Sequence, residues 1–153
     1  MPLQGGVSTP ASSCPVAKNH FPSPLNMTDK TNTKILLVDD EPNILVVLEF
    51  LVKKEGYQAF KAENGEQALL TMASQAPHIV VLDVMMPGMD GFEVARKIRA
   101  NTRYDDTRII FLTAKGTQED RFKGYATGGE VYITKPFDND ELINTINEVV
   151  EFG

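Results

Sequence analysis

The chain has 153 residues, 42% hydrophobic and 24% charged, ordinary values for one globular domain with a proper core. A formal net charge of −6 with no basic stripe excludes a nucleic-acid binder that works by neutralising phosphates. A single cysteine, Cys14, excludes an internal disulfide and a CxxC metal site, and no apolar stretch approaches the roughly 20 residues that span a bilayer. The expectation is a soluble cytoplasmic domain with neither nucleic acid nor membrane among its partners.

Residues 1–32 are rich in Pro, Ser, Thr and Asn and poor in large apolar side chains. Such a composition buries too little surface to offset its ordering entropy, so it reads as a disordered extension ahead of a folded domain at 33–153. It lacks the apolar core of a signal peptide and contains no arginine, against a secretory or transit role. Met27, followed by a short polar lead, offers an alternative start of the natural chain. Cys14 and His20 fall in this extension and read as an inert thiol and a solvated imidazole.

From Lys34 onward short apolar runs alternate with amphipathic stretches. The runs at 35–38, 57–61, 79–82, 109–112 and 131–134 predict five strands. Ile44, Leu48, Leu51 and Val52 predict the buried face of a first helix, with Glu49 and Lys53 outside as an i,i+4 pair and Gly56 as its stop. Asn64 with Gln67, and Asp138 with Glu141, have the spacing of capping boxes opening later helices. Phe92, Ala95 and Ile98 predict a helix after Gly91, a less regular one spans 118–127, and Leu142, Ile146, Val149 and Val150 mark the last. Five strands alternating with five helices imply right-handed βαβ units, hence an α/β, doubly wound parallel sheet with helices on both faces.

In such a sheet the functional crevice lies beyond the carboxyl ends of the strands. The first run ends in Asp39 and Asp40, the third in Asp83, the fourth in Thr113 and the fifth in Lys135. Taken singly, each fits a structural role. The acidic pair before Pro42 suits a helix N-terminus as well as a site, Asp83 could open the turn at Pro87-Gly88, Thr113 could simply end a strand, and Lys135 could be a solvated charge. Joint placement on one edge is what points to a site. Two carboxylates about 4 Å apart repel by roughly 4 kcal/mol at an effective dielectric near 20. Lys135 offsets one charge, and a hard divalent cation would relieve the rest, Mg²⁺ suiting an all-oxygen site better than zinc. A carboxylate beside a hard metal and a lysine suggests phosphoryl transfer to Asp83, with Thr113 donating to a phosphoryl oxygen and no general base required.

The stretches "ILLVDDEPNI", "IVVLDVMMPGMDGFEVARKIR", "IIFLTAK" and "VYITKPF" resemble the receiver domain of two-component response regulators. The resemblance runs from about Lys34 to the end of the chain, and its motifs occur in order at family-like spacing. It implies the flavodoxin-like strand order 2-1-3-4-5 and a stand-alone receiver, since no output domain follows Phe152. It implies Asp83 as phosphoacceptor for a histidine kinase or histidine phosphotransfer protein. Mg²⁺ would be held by Asp40 directly, Asp39 through water, Asp83, and the backbone carbonyl of Met85. Thr113 and Lys135 would sense the phosphoryl group, Tyr132 would be the aromatic switch that packs inward when Thr113 moves, and Pro136 would follow a cis bond. The downstream protein target would meet the face made by the fourth helix, fifth strand and fifth helix. One departure is the run Gly128, Gly129, Glu130, Val131, Tyr132, where the family commonly has G-A-D-D-Y. The paired glycines are expected to loosen that loop.

A phosphatase of the haloacid dehalogenase type also uses Asp, Thr, Lys and an acidic metal pair. Its D-x-D nucleophile motif is absent, because Met85 stands where the second acid should be, and the acidic pair here comes first rather than late. A phosphorylation-independent interaction module, with structural acids, is the other alternative.

Overall fold

The computed structural model describes residues 30–152. The expected extension therefore lies, up to residue 29, outside the described residues, along with Cys14, His20 and the alternative start. Residues Lys30–Asn32 form one 3-10 turn, with Lys30 Nζ 3.3 Å from Glu55 Oε1.

Five strands follow: β1 (Lys34–Val38), β2 (Gln58–Ala62), β3 (Ile79–Leu82), β4 (Arg108–Thr113) and β5 (Val131–Thr134). All pair in parallel, in the order β2-β1-β3-β4-β5. Between and after them run α1 (Pro42–Lys54), α2 (Gly65–Gln75), α3 (Gly91–Arg99), α4 (Gln118–Ala126) and α5 (Asn139–Phe152). The chain is a flavodoxin-like (βα)₅ fold: the alternating pattern implied the doubly wound parallel sheet, and the family resemblance its strand order.

Alternate strand residues feed two cores. Leu36, Val38, Val80, Leu82, Ile109 and Phe111 point to one face, where Ala68 and Met72 of α2 and Phe92, Ala95 and Ile98 of α3 cover them. Ile35, Leu37, Val81, Ile110 and Leu112 point to the other, under α1 and α5. Burying each such side chain stabilises the fold by roughly 1.5–3 kcal/mol, which is why the strands need no polar face. The anchors of α1 are Leu45, Leu48 and Val52, with the expected Ile44 and Leu51 only partly buried beside them. Tyr57, expected to open β2, precedes it and is buried in the α1–α5 core.

Local chemistry sets the helix ends. Asn64 accepts from Gln67 N at 2.9 Å, but the Gln67 side chain returns to Glu63 N, not to the cap residue. Asp138 accepts from the N–H groups of Asp140 and Glu141. A complete capping box sits at Thr117 and Asp120, opening α4. The Gly128–Gly129 loop is pinned, against expectation. Arg99 donates to Gly128 O from Nε at 3.2 Å and from Nη2 at 2.9 Å, and Gly129 N donates to Gly124 O at 3.0 Å. Glu130 pairs with Arg99 at 3.0 Å and also accepts from Ile109 N. Glycine pairs loosen a chain only where nothing holds their backbone groups; here Arg99, 29 positions away, and the last turn of α4 do.

Candidate metal and phosphoryl site

The strand ends converge as the topology requires. After β1, Asp39 N donates to Ala62 O at 3.2 Å, which extends the ladder by one residue and draws the Asp39 carboxylate inside, 1% exposed. Asp39 Oδ1 accepts from Glu41 N at 2.9 Å and turns the chain into α1. After β3, Asp83 N donates to Val38 O at 3.0 Å, so Asp83 stands beside the acidic pair. The loop folds back tightly: Met85 N donates to Asp83 Oδ1 and Gly91 N to Val84 O. A Cβ at Gly91 would stand 2.2 Å from Asp83 O, so only glycine lets α3 begin so close to this residue.

One carboxylate oxygen from each of Asp39, Asp40 and Asp83 lies within 4.8 Å of the others. The Lys135 ammonium faces them, 2.7 Å from Asp39, 3.7 Å from Asp83 and 3.9 Å from Glu41. Asp40, Glu41, Asp83, Met85, Ala114 and Lys135 line an open cavity of about 270 Å³. Glu41, read from sequence only as a helix start, thus faces the site, and it makes no side-chain cap bond to α1. The Lys135–Pro136 bond is cis.

Burial, and then the Asp39 charge, push the Asp83 carboxyl above its ordinary range, against Lys135, the Thr113 hydroxyl and Met85 N–H, which favour the ionised form. Burial works against the Lys135 ammonium, but the hydrogen bond to Asp39 and the charges of Asp83, Asp39 and Glu41 outweigh it and raise its pKa. The lysine stays charged. One cation among three clustered carboxylates and Glu41 leaves the pocket negative, and its donors are all hard oxygens, so the residues present fit a small divalent cation.

Thr113 is fully buried, and its Oγ1 accepts from Lys115 N at 3.3 Å. Lys115 O in turn accepts the hydroxyl of Tyr132. Tyr132 is inward, 4% exposed, its ring centroid 5.6 Å from that of Phe111. Two hydrogen bonds through Lys115 therefore connect Thr113 to Tyr132.

The structure is thus a five-stranded doubly wound sheet with an acidic pocket, a lysine and a threonine on its carboxyl edge. The profile of the response regulator receiver domain family matches residues 35–147. Solved structures agree. Chemotaxis protein CheY4 of Vibrio cholerae is 31% identical over 76% of this chain and 98% of its own, with a TM-score of 0.73. Response regulator protein TrrA of Thermotoga maritima, solved with Mg²⁺ and a beryllium fluoride, is 39% identical over 76% of this chain and 98% of its own, with a TM-score of 0.68. The receiver domain of Francisella response regulator 1452 is 30% identical over 78% and 98%, with a TM-score of 0.73. The chain belongs to the response regulator receiver domain family. It is a signalling domain of the two-component type.

Proposed function

We propose that Asp83 accepts a phosphoryl group from a phosphohistidine on a histidine kinase or histidine phosphotransfer protein, and that this switches binding of a protein target to the α4–β5–α5 face. The observation that carries the reading is the cluster of Asp39, Asp40 and Asp83 oxygens within 4.8 Å, with the Lys135 ammonium 3.7 Å from Asp83. An ionised Asp83 oxygen attacks phosphorus; the O–P bond forms as the N–P bond of the donor breaks. The bonding pair returns to the imidazole nitrogen, which takes a proton from solvent. No general base is needed, because the carboxylate is already the nucleophile.

Asp40, Asp39 through water, Asp83 and the Met85 carbonyl would hold Mg²⁺, which when bound supplies positive charge beside the transferring phosphoryl oxygens. Lys135, held by Asp39, offers its ammonium to one of those oxygens and the Thr113 hydroxyl donates to another. Because Thr113 and Tyr132 share Lys115, a shift of Thr113 toward the phosphoryl group changes what the Tyr132 hydroxyl can bond. A ligand bonded better in one state than in the other moves the population between them. The reading places the chain in the cytoplasm with its donor, and no helix among the described residues is long and apolar enough to cross a membrane.

Incubation with Mg²⁺ and acetyl phosphate should add one acid-labile phosphoryl group, absent without Mg²⁺ and absent in Asp83→Asn. Unchanged labelling of that variant would sink the assignment. Multiple-turnover hydrolysis of an outside phosphomonoester would instead favour a phosphatase.

A further inference from the structure

Gly124 is the one buried residue of α4, and it lies against the sheet where a side chain would not fit. A methyl group at Gly124 would stand 2.6 and 2.8 Å from Cδ2 and Cε2 of Tyr132, and 3.2 Å from Cδ2 of Phe111. Glycine within a helix is unfavourable relative to alanine, because it surrenders more backbone freedom and packs nothing. The position therefore needs a local reason, and the ring of Tyr132 supplies it.

The second observation is on the same helix, one turn earlier. The Arg121 guanidinium lies 5.5 Å from the centroid of the Tyr132 ring, and the same group donates to Tyr132 O and to Thr134 Oγ1, both at 3.4 Å. Cations over aromatic faces attract, and the two hydrogen bonds hold this one in place. Tyr132 is thus enclosed by Phe111 below, Gly124 beside it, Arg121 over its face and Lys115 O at its hydroxyl.

We infer that Gly124 is the positioning residue that admits Tyr132 to its inward seat, with Arg121 closing that seat. This rests on the reading of Tyr132 as the switch and deepens it: the lack of a side chain at position 124 determines whether the signal at Thr113 reaches the outer face. Of the groups around a new methyl, Tyr132 yields most readily, since rotation about χ1 carries its ring outward, whereas Phe111 is fixed in the core. Alanine at 124 would therefore evict the tyrosine and leave α4 and the acidic pocket intact.

The experiment compares full-length wild type, Gly124→Ala, Tyr132→Ala and the double variant. In Gly124→Ala the Tyr132 ring signal should become accessible to a soluble paramagnetic probe, and its hydroxyl pKa should fall from about 12 toward the ordinary tyrosine value. Labelling of Asp83 by acetyl phosphate should match wild type, while the phosphorylation-dependent shift of the Tyr132 signal is lost. Alanine at 124 should raise the melting temperature in the Tyr132→Ala background, where the ring atoms at 2.6 and 2.8 Å are gone and only Phe111 Cδ2 at 3.2 Å remains, and fail to raise it in wild type. A ring as protected in Gly124→Ala as in wild type would overturn the inference, as would an equal gain in both backgrounds. Should Gly124→Ala alone fail to fold, rescue by Tyr132→Ala supports the seat, and failure of both overturns it. Absence of labelling in wild type would remove the phosphoacceptor reading while leaving the ring result to stand.

Discussion

Replacing Asp83 by asparagine keeps the shape of the side chain and removes its charge, so it measures what the acidic cluster costs the fold. At the 4.8 Å limit that separates the three carboxylates, each like-charge pair costs roughly 3.5 kcal/mol at an effective dielectric near 20, while Lys135 at 3.7 Å returns roughly 4.5. The net cost of ionising Asp83 beside Asp39 and Asp40 is about 1–3 kcal/mol once the partial exposure of Asp40 is discounted. Asp83→Asn should therefore be more stable than wild type in EDTA at neutral pH, by roughly 3–5 °C per kcal/mol in a domain of this size. Added Mg²⁺ should narrow the gap by binding the wild type. The pH dependence has a definite sign. Burial and Asp39 hold the Asp83 carboxyl above its unfolded value, so its contribution to stability is complete below the ordinary aspartate pKa and is lost as pH rises through the higher folded value. The gap should be widest at neutral pH and close in acid. Thermal unfolding with and without EDTA across that range checks it, and a variant no more stable than wild type in EDTA at neutral pH would refute the reasoning.

The opposite substitution in the same cluster, Lys135→Ala, leaves Asp39, 1% exposed, without its cation; a loss of about 3 kcal/mol in urea unfolding is expected, partly restored by a second change of Asp39 to Asn. Gly91→Ala drives a methyl group against Asp83 O and should cost about 1–3 kcal/mol and slow labelling of Asp83, read by unfolding and by acetyl phosphate uptake. Burial, and then the charges of Glu55 and Glu151, push the Tyr57 hydroxyl up to about 12. Its contribution to stability is therefore complete below pH 10 and is lost between pH 10 and 12. Tyr57→Phe should give up about 1 kcal/mol at neutral pH, where its hydroxyl bonds Asn147, yet lose less stability than wild type in alkaline titration.

The strand and helix pattern, and the edge on which the chemistry gathers, were legible in the sequence because they follow from period and connectivity. Apolar runs of four to six residues between amphipathic helices force parallel pairing, and parallel pairing puts the residues after 38, 82, 112 and 134 on one edge. The residue types Asp39, Asp40, Asp83, Thr113 and Lys135 then supply the carboxylates, the hydroxyl and the ammonium that gather there. Less legible was anything that depends on which partner a group finds. Glu41 does start α1, its carbonyl accepting from Ile44 N and Leu45 N, but its carboxylate also faces Lys135, a residue 94 positions away that local spacing does not bring near. The Gly128–Gly129 loop looked loose and is held by Arg99 at the end of α3, 29 positions earlier, an approach no local rule predicts.

What the sequence determined by itself, then, is the order of elements and the set of groups at the carboxyl edge, since both depend on spacing along the chain. The tertiary structure alone decided the distances among those groups, the close approach of Gly91 to Asp83, and the enclosure of Tyr132 by Gly124 and Arg121. Those are contacts between surfaces that meet only after the helices have packed, and steric fit and Coulomb energy vary too steeply with distance to be read from spacing.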